Sequence, residues 1–221
     1  MDELLSEKEQ IEQIRNWWKE NGAWVAGGLV LGLSMLVGWN SWQSYVANRA
    51  EEASSLYEQV RAEAVAGNAD RAIELTTSLR TEYAATPYAD QASLELARMM
   101  VERGSLDEAA AALEYAIQSD DPQLALVARL RLAQVRMQQG NLDEALAALD
   151  VPDAGAFAAR FSEMRGDVAV ARGDWDMARS EYESVLSDLA GPVNREVVEI
   201  KMNDLPGPAA AAPVTEADPT S

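Results

Sequence analysis

From Asn21 to Asn48 no charged residue interrupts the chain, and the apolar heart from Ala23 to Trp39 reads AWVAGGLVLGLSMLVGW. A helix from Ala23 to Tyr45 would run about 34 Å at ~1.5 Å per residue, enough to cross a hydrocarbon core about 30 Å thick. Trp17 and Trp18 precede this stretch, and Trp39, Trp42 and Tyr45 close it. Aromatic side chains at both ends are what the two membrane–water interfaces favour, so residues 23–45 are read as a membrane span. Before it, residues 1–22 place Leu4, Ile11, Ile14 and Trp18 on one face at helical spacing, which predicts a short amphipathic arm. The apolar run is too long for the core of a cleaved leader. The segment before it is acidic, and Tyr45-Val-Ala47 puts a bulky residue where cleavage wants a small one. The expectation is an uncleaved signal anchor. Lys8, Arg15 and Lys19 before the span against Arg49 and Arg61 after it lean only slightly towards an inside N-terminus. Gly28, Gly32, Ser34 and Gly38 form a small-residue face on which a second membrane helix could pack closely.

Beyond the span the pattern changes to amphipathic helices that repeat. Four segments begin with Gly and place Ala five residues later: Gly67-Asn-Ala-Asp-Arg-Ala72, Gly104-Ser-Leu-Asp-Glu-Ala109, Gly140-Asn-Leu-Asp-Glu-Ala145 and Gly173-Asp-Trp-Asp-Met-Ala178. The glycines are 37, 36 and 33 residues apart. That period matches the tetratricopeptide repeat, a helix–turn–helix unit of about 34 residues. Gly is suited to a left-handed turn at the end of the first helix. The Asn, Ser or Asp that follows is expected to cap the second helix through its side-chain oxygen. Seven residues before each Gly stand Val60, Ala97, Ala133 and Gly166, small in the last three, where the two helices of a unit should approach. Breaks are expected at Ala84–Tyr88, Asp120–Pro122 and Val151–Gly155, because Pro does not continue a helix. The fold class is therefore all-α: one transmembrane helix, then a tetratricopeptide-repeat-like solenoid over 46–205. Residues 194–204 are expected to form a helix capping the open end of the stack. Residues 206–221, PGPAAAAPVTEADPTS, lack core-forming side chains and read as a disordered tail.

Composition narrows the function. The 221 residues include no Cys and no His, which removes thiol nucleophiles, thiolate metal sites and every His-dependent triad. Adjacent acids such as Asp107/Glu108 and Asp143/Glu144 do not face one another on a helix and recur at the repeat turns. The sequence predicts no catalytic residue, no metal ligand, no cofactor and no enzymatic activity. A net charge of −19 disfavours nucleic acid, and the densest basic cluster, Arg129-Leu-Arg131 with Arg136, is small. Six of the 37 acids and three of the 18 bases precede Arg49, leaving the remainder at −16 with Lys201 as its only lysine. A solvated acidic surface accounts for that charge, and holding basic or unfolded segments is the sharper reading.

The concave face of such a stack is built by the first helix of each unit. Aligned on the turn glycines, its outward positions are Arg98 and Glu102, then Gln134 and Gln138, then Glu163 and Asp167, the candidate partner groove. Repeats that clamp a chaperone's terminal carboxylate carry Lys and Asn at positions where this chain has Leu94/Arg98 and Leu130/Gln134. That clamp is absent, which argues against a cytosol-facing receptor for chaperone tails.

Ile14-Arg-Asn-Trp17-Trp18-Lys-Glu-Asn-Gly22 leads into the span, which ends Gly38-Trp39-Asn-Ser-Trp42. Later come Ala92-Ser-Leu-Glu-Leu-Ala97, Leu130-Arg-Leu-Ala133, Arg165-Gly166-Asp167, Gly173-Asp174 with Ala178-Arg179, and Lys201-Met-Asn-Asp-Leu205. With these motifs the chain resembles the YfgM family, the ancillary subunits of the SecYEG translocon, over about residues 9–205. The resemblance implies a bacterial inner-membrane protein with a cytoplasmic N-terminus and a periplasmic repeat domain. It implies association with SecYEG and with a membrane-anchored chaperone of the prolyl-isomerase type. The implied task is to pass newly translocated, still unfolded secretory chains to periplasmic chaperones. A second implied role is envelope-stress signalling, with the N-terminal arm sequestering a cytoplasmic response regulator. The tail after Leu205 departs from the family pattern.

Overall fold

The computed structural model describes residues 7–187 and 193–207, which are helical with short turns and no strands. The predicted tail from residue 208 onwards, Leu4 of the arm, and Gly191-Pro192 lie outside the described residues. The first helix, α1 (Glu7–Ala66), is a single run of 60 residues. The arm runs into the span and the span into the first helix of the repeats as one helix. The reason is local: the first proline in the chain is Pro87, and the glycines at 22, 27, 28, 32 and 38 cost helix stability without ending it.

The chain divides into two compact units, residues 1–52 and 53–221. In the first, α1 is long and apolar enough to cross a membrane, and none of its apolar window is buried. In the second, the end of α1 is followed by α2 (Ala69–Glu82), α3 (Pro87–Glu102), α4 (Leu106–Ala116), α5 (Pro122–Gln138) and α6 (Leu142–Ala148). A 3-10 turn at Gly155–Phe157 then leads to α7 (Ala158–Arg172), α8 (Trp175–Ser187) and α9 (Arg195–Asn203). Each helix from α2 onward packs on its neighbour in sequence, and α5 also packs on α7. The fold is therefore all-α and repeat-like, with antiparallel helix pairs stacked side by side.

The turns explain the repeat signature. Gly67, Gly104, Gly140 and Gly173 all have φ between 76° and 79°. Each preceding helix closes by two backbone bonds. At the second turn, Gly104 N–H donates to Val101 at 3.0 Å and Ser105 N–H to Met100 at 2.9 Å, the Schellman arrangement. The alanine five residues on is wholly buried in every unit: Ala72, Ala109, Ala145 and Ala178 are all 0% exposed. Opposite them Val60, Ala97 and Ala133 are buried, and Gly166 takes the ring of Tyr182 against its backbone.

The expected side-chain caps are corrected at three of these turns. Asn68, Ser105 and Asn141 make no side-chain cap bond, and only Asp174 does, accepting from Met177 N–H at 3.1 Å. At those three turns ψ is 66–76° instead of the extended value of a capping residue. A further cap stands away from the glycine turns: Asp121 accepts from Gln123 N–H at 2.9 Å, beside Pro122 at the first helical position.

The core has three parts. The largest runs from Ala64 on α1 and Ala72 on α2 through α7, with Leu113, Leu149, Phe161 and Val168 among its members. A second joins Ala53 and Val60 to Leu75, Leu79, Ala89 and Ala92. The third packs Tyr182, Val185, Val198 and Leu205 between α7, α8 and α9. Arg80 ties α2 to α3 and α4, its Nε donating to Ser93 Oγ at 2.9 Å and its guanidinium lying 4.5 Å from the Tyr115 ring.

Candidate partner groove and membrane face

Four of the six predicted groove residues line one cleft. Arg98 and Glu102 on α3 face Gln134 and Gln138 on α5 across a hollow of about 350 Å³, floored by Val101, Leu113 and Val135. The spacing brings them together because positions six and two residues before each turn glycine fall on the same face of successive first helices. The walls differ in charge state. Arg98 is held by Glu95 and Glu102, the latter at 2.5 Å, and the bond to Glu95 is the main reason its pKa is raised above the ordinary arginine value.

Glu163 and Asp167 do not join that cleft. They bind the chain's own cap helix: Lys201 Nζ on α9 lies 2.8 Å from Glu163 Oε1 and 2.8 Å from Asp167 Oδ2. Tyr182 completes the cluster, its hydroxyl donating to Asp167 Oδ1 at 2.8 Å. Burial, and then the bond to Asp167, push the Tyr182 phenol well above its usual pKa. Burial works against the charge of Lys201, but the two carboxylates outweigh it and leave the ammonium pKa raised. The acid end of the predicted groove is thus already filled by a cation from the same chain.

Sequence reasoning missed Lys201 as that occupant and Arg131 as a wall of the open cleft. The first was beyond it, since Lys201 lies 38 residues from Glu163 in a segment with no repeat partner to align. The second was readable. Nine and six residues before the turn glycine, the first two units carry Glu58/Arg61 and Glu95/Arg98, each an ion pair, whereas the third carries Arg131/Gln134.

On the membrane face the predicted interface residues are exposed. Trp17, Trp18, Trp39, Trp42 and Tyr45 are between 53% and 63% accessible, with the rings of Trp39 and Trp42 5.3 Å apart. Ile11 and Ile14 of the arm are exposed as well. Around Gly28, Gly32 and Gly38 nothing lies within 4 Å of where a Cβ would stand, so this small-residue strip, with Ser34 beside it, is uncovered within the chain. Among the described residues no group of three or more acids is arranged to hold a metal ion.

Comparison with known proteins places this architecture. Residues 15–207 match the family described as a tetratricopeptide repeat-like domain. An ancillary SecYEG translocon subunit of Escherichia coli is 33% identical over 206 residues, covering 93% of this chain and 99% of that protein. A protein of the same name from Haemophilus influenzae is 30% identical over 208 residues, covering 91% and 98%. One from Neisseria gonorrhoeae is 28% identical over 205 residues, with the same coverage. Matched almost end to end, from before the apolar helix to the last helix of the stack, the chain belongs to the family of ancillary SecYEG translocon subunits.

Proposed function

We propose that this protein is a non-enzymatic scaffold of the bacterial inner membrane, associated with the SecYEG translocon, that helps pass newly translocated proteins to periplasmic chaperones. The observation that carries this reading is the union in one chain of an exposed, membrane-length apolar helix and a helical repeat stack, shared over nearly full length with translocon subunits. The apolar helix tethers, and the stack offers side-chain surfaces to partners. The N-terminus lies in the cytoplasm and the repeats in the periplasm, where a membrane-anchored prolyl-isomerase-type chaperone and emerging secretory chains are the partners.

Two measurements test it. Because the chain lacks cysteine, Ser187→Cys at an exposed position of α8 gives a single reporter thiol. In cells with a permeabilised outer membrane, a maleimide that cannot cross the inner membrane should label it. Protection until the inner membrane is lysed would put the repeats in the cytosol and overturn the assignment of partners. Separately, the protein should co-purify with SecYEG, and Gly28→Leu with Gly32→Leu should weaken that recovery while the repeat domain still folds. Unchanged recovery would remove the small-residue strip from the contact. The second reading rests on the exposed Ile11, Ile14 and Trp18 of the arm, which offer a face to a cytoplasmic response regulator. Deleting residues 2–13 should then shift the stress response and leave translocon association intact.

A further inference from the structure

We infer that the cleft between α3 and α5 is a binding site for an extended peptide segment carrying a carboxylate beside an apolar side chain, with Arg131 as its charge reader. This deepens the scaffold reading, on which it rests, by naming what the stack would hold.

The arginines of the repeat domain differ in what holds them. In this acidic domain most are already engaged: Arg61 with Glu58, Arg71 with Glu74, Arg136 with Glu114 and Glu144, Arg165 with Glu181, Arg172 with Asp143. Others donate to backbone carbonyls, as Arg103 does to Gly67 and Arg179 to Pro206. Arg131 is exposed and, among the described residues, makes no ion pair or hydrogen bond. The repeat register explains why. The glutamate that clasps an arginine one turn later in the first two units is replaced in the third by Arg131 itself, with neutral Gln134 in the following place. An acid is missing from the cleft wall where the repeat pattern would put one, and a ligand carboxylate would supply it.

The rest of the wall fits the same occupant. Gln134 and Gln138 are exposed one turn apart and make no hydrogen bond among the described residues, so both amides can donate to and accept from a peptide backbone. Val101, Leu113 and Val135 floor the hollow with apolar surface. A guanidinium matches a carboxylate with two parallel donors, which favours a charge-assisted pair over contact with a neutral amide. The net charge of the domain repels acidic ligands at long range. At about 0.15 M salt the Debye length is only about 8 Å, so the contact pair survives while that repulsion is screened. The acid end of the face is closed to cationic ligands by Lys201, which leaves this cleft as its open recognition element.

The test uses the full-length protein in detergent micelles and three fluorescein-labelled peptides of sequence Gly-Ser-Gly-Leu-X-Leu-Gly-Ser-amide, with X as Glu, Gln or Lys. Fluorescence anisotropy should show the Glu peptide binding about tenfold more tightly than the Gln peptide, the size of one charge-assisted contact. The Lys peptide should bind weakest. Arg131→Gln should erase the Glu-over-Gln preference, and Arg131→Glu should reverse it in favour of the Lys peptide. Arg160→Gln, at another exposed arginine of the repeat domain without a partner among the described residues, should leave it intact. The inference is overturned if no peptide binds, if the Lys peptide binds parent protein best, if Arg131→Gln keeps the preference or weakens all three peptides alike, or if Arg160→Gln abolishes it. The titration contains no translocon, so its result is separate from co-purification. Selective binding without SecYEG recovery would sink the scaffold reading and keep the site, and recovery without selectivity would do the reverse.

Discussion

Replacing Gly166 by alanine adds one methyl group at the closest approach of α7 and α8. The new Cβ would stand 2.7 Å from Cδ1 and 3.0 Å from Cζ of Tyr182, and closer still to Cε1. The ring cannot swing clear at low cost: Tyr182 is 1% exposed, and its hydroxyl is bonded to Asp167, which in turn holds Lys201. Forcing a methyl into a packed site costs about 1–3 kcal/mol. Loosening a hydrogen bond to a charged group adds up to about 1.5–3 kcal/mol if the ring moves. Against this, alanine gains about 1 kcal/mol over glycine in helix propensity. The balance is a loss of about 2 kcal/mol, or about 4–8 °C in melting temperature for a domain of this size. Thermal melts of the full chain in detergent, followed by far-ultraviolet circular dichroism, read it directly. Adding Tyr182→Ala should remove the penalty, so that Gly166→Ala in that background is neutral or stabilising. A Gly166→Ala variant that melts at or above the parent temperature would refute the packing argument.

Three further outcomes follow from the same structure. Gly140→Ala meets no neighbour but must hold φ near 79°, so it should cost about 1–2 kcal/mol from backbone conformation alone, measured by the same melts. Lys201→Gln leaves Glu163 and Asp167 with two carboxylates and no cation at a site where all three side chains are 30% exposed or less. It should destabilise the domain by about 1–3 kcal/mol, scaled down from the cost of breaking a fully buried pair, and hydrogen exchange should rise first around Val198 in α9. Tyr182 and Lys201 both have pKa values raised by folding, so the stability they contribute is complete below their unfolded values of about 10 and lost as pH climbs through the folded ones. Unfolding should therefore steepen above about pH 10, and Tyr182→Phe should flatten that dependence. A parallel shift of the two pH curves would assign the loss to other groups.

The solenoid is legible in the sequence because its turns are chemically demanding. A left-handed residue and a wholly buried alanine five positions later leave few residue choices, so Gly104/Ala109 and Gly140/Ala145 repeat nearly unchanged. The length of α1 is harder to read. Polarity changes at Gly22 and Asn48 mark a change of surroundings, and surroundings do not end a helix unless the backbone is interrupted. Side-chain capping is not legible either, since Asn68, Ser105 and Asn141 make no cap bond after their turn glycines whereas Asp174 does after the same kind of turn. Between α3 and α5, Arg98, Glu102, Gln134 and Gln138 share a cleft that follows from repeat register, whereas the pairing of Glu163 and Asp167 with Lys201 depends on a cap helix outside any repeat.

The packing of each helix on its sequence neighbour also sets the order in which the domain can assemble. A chain made from its N-terminus can stack α2 and α3, then α4, then α5 as each is released, without waiting for a distant strand or a closing segment. The exception is the cluster on α7. Asp167 and Glu163 must wait 34 and 38 residues for Lys201, so the last pair of helices exposes two unneutralised acids until α9 arrives. Synthesis that stalls before residue 201 leaves a stack whose early units are complete and whose final unit carries excess negative charge at its open end.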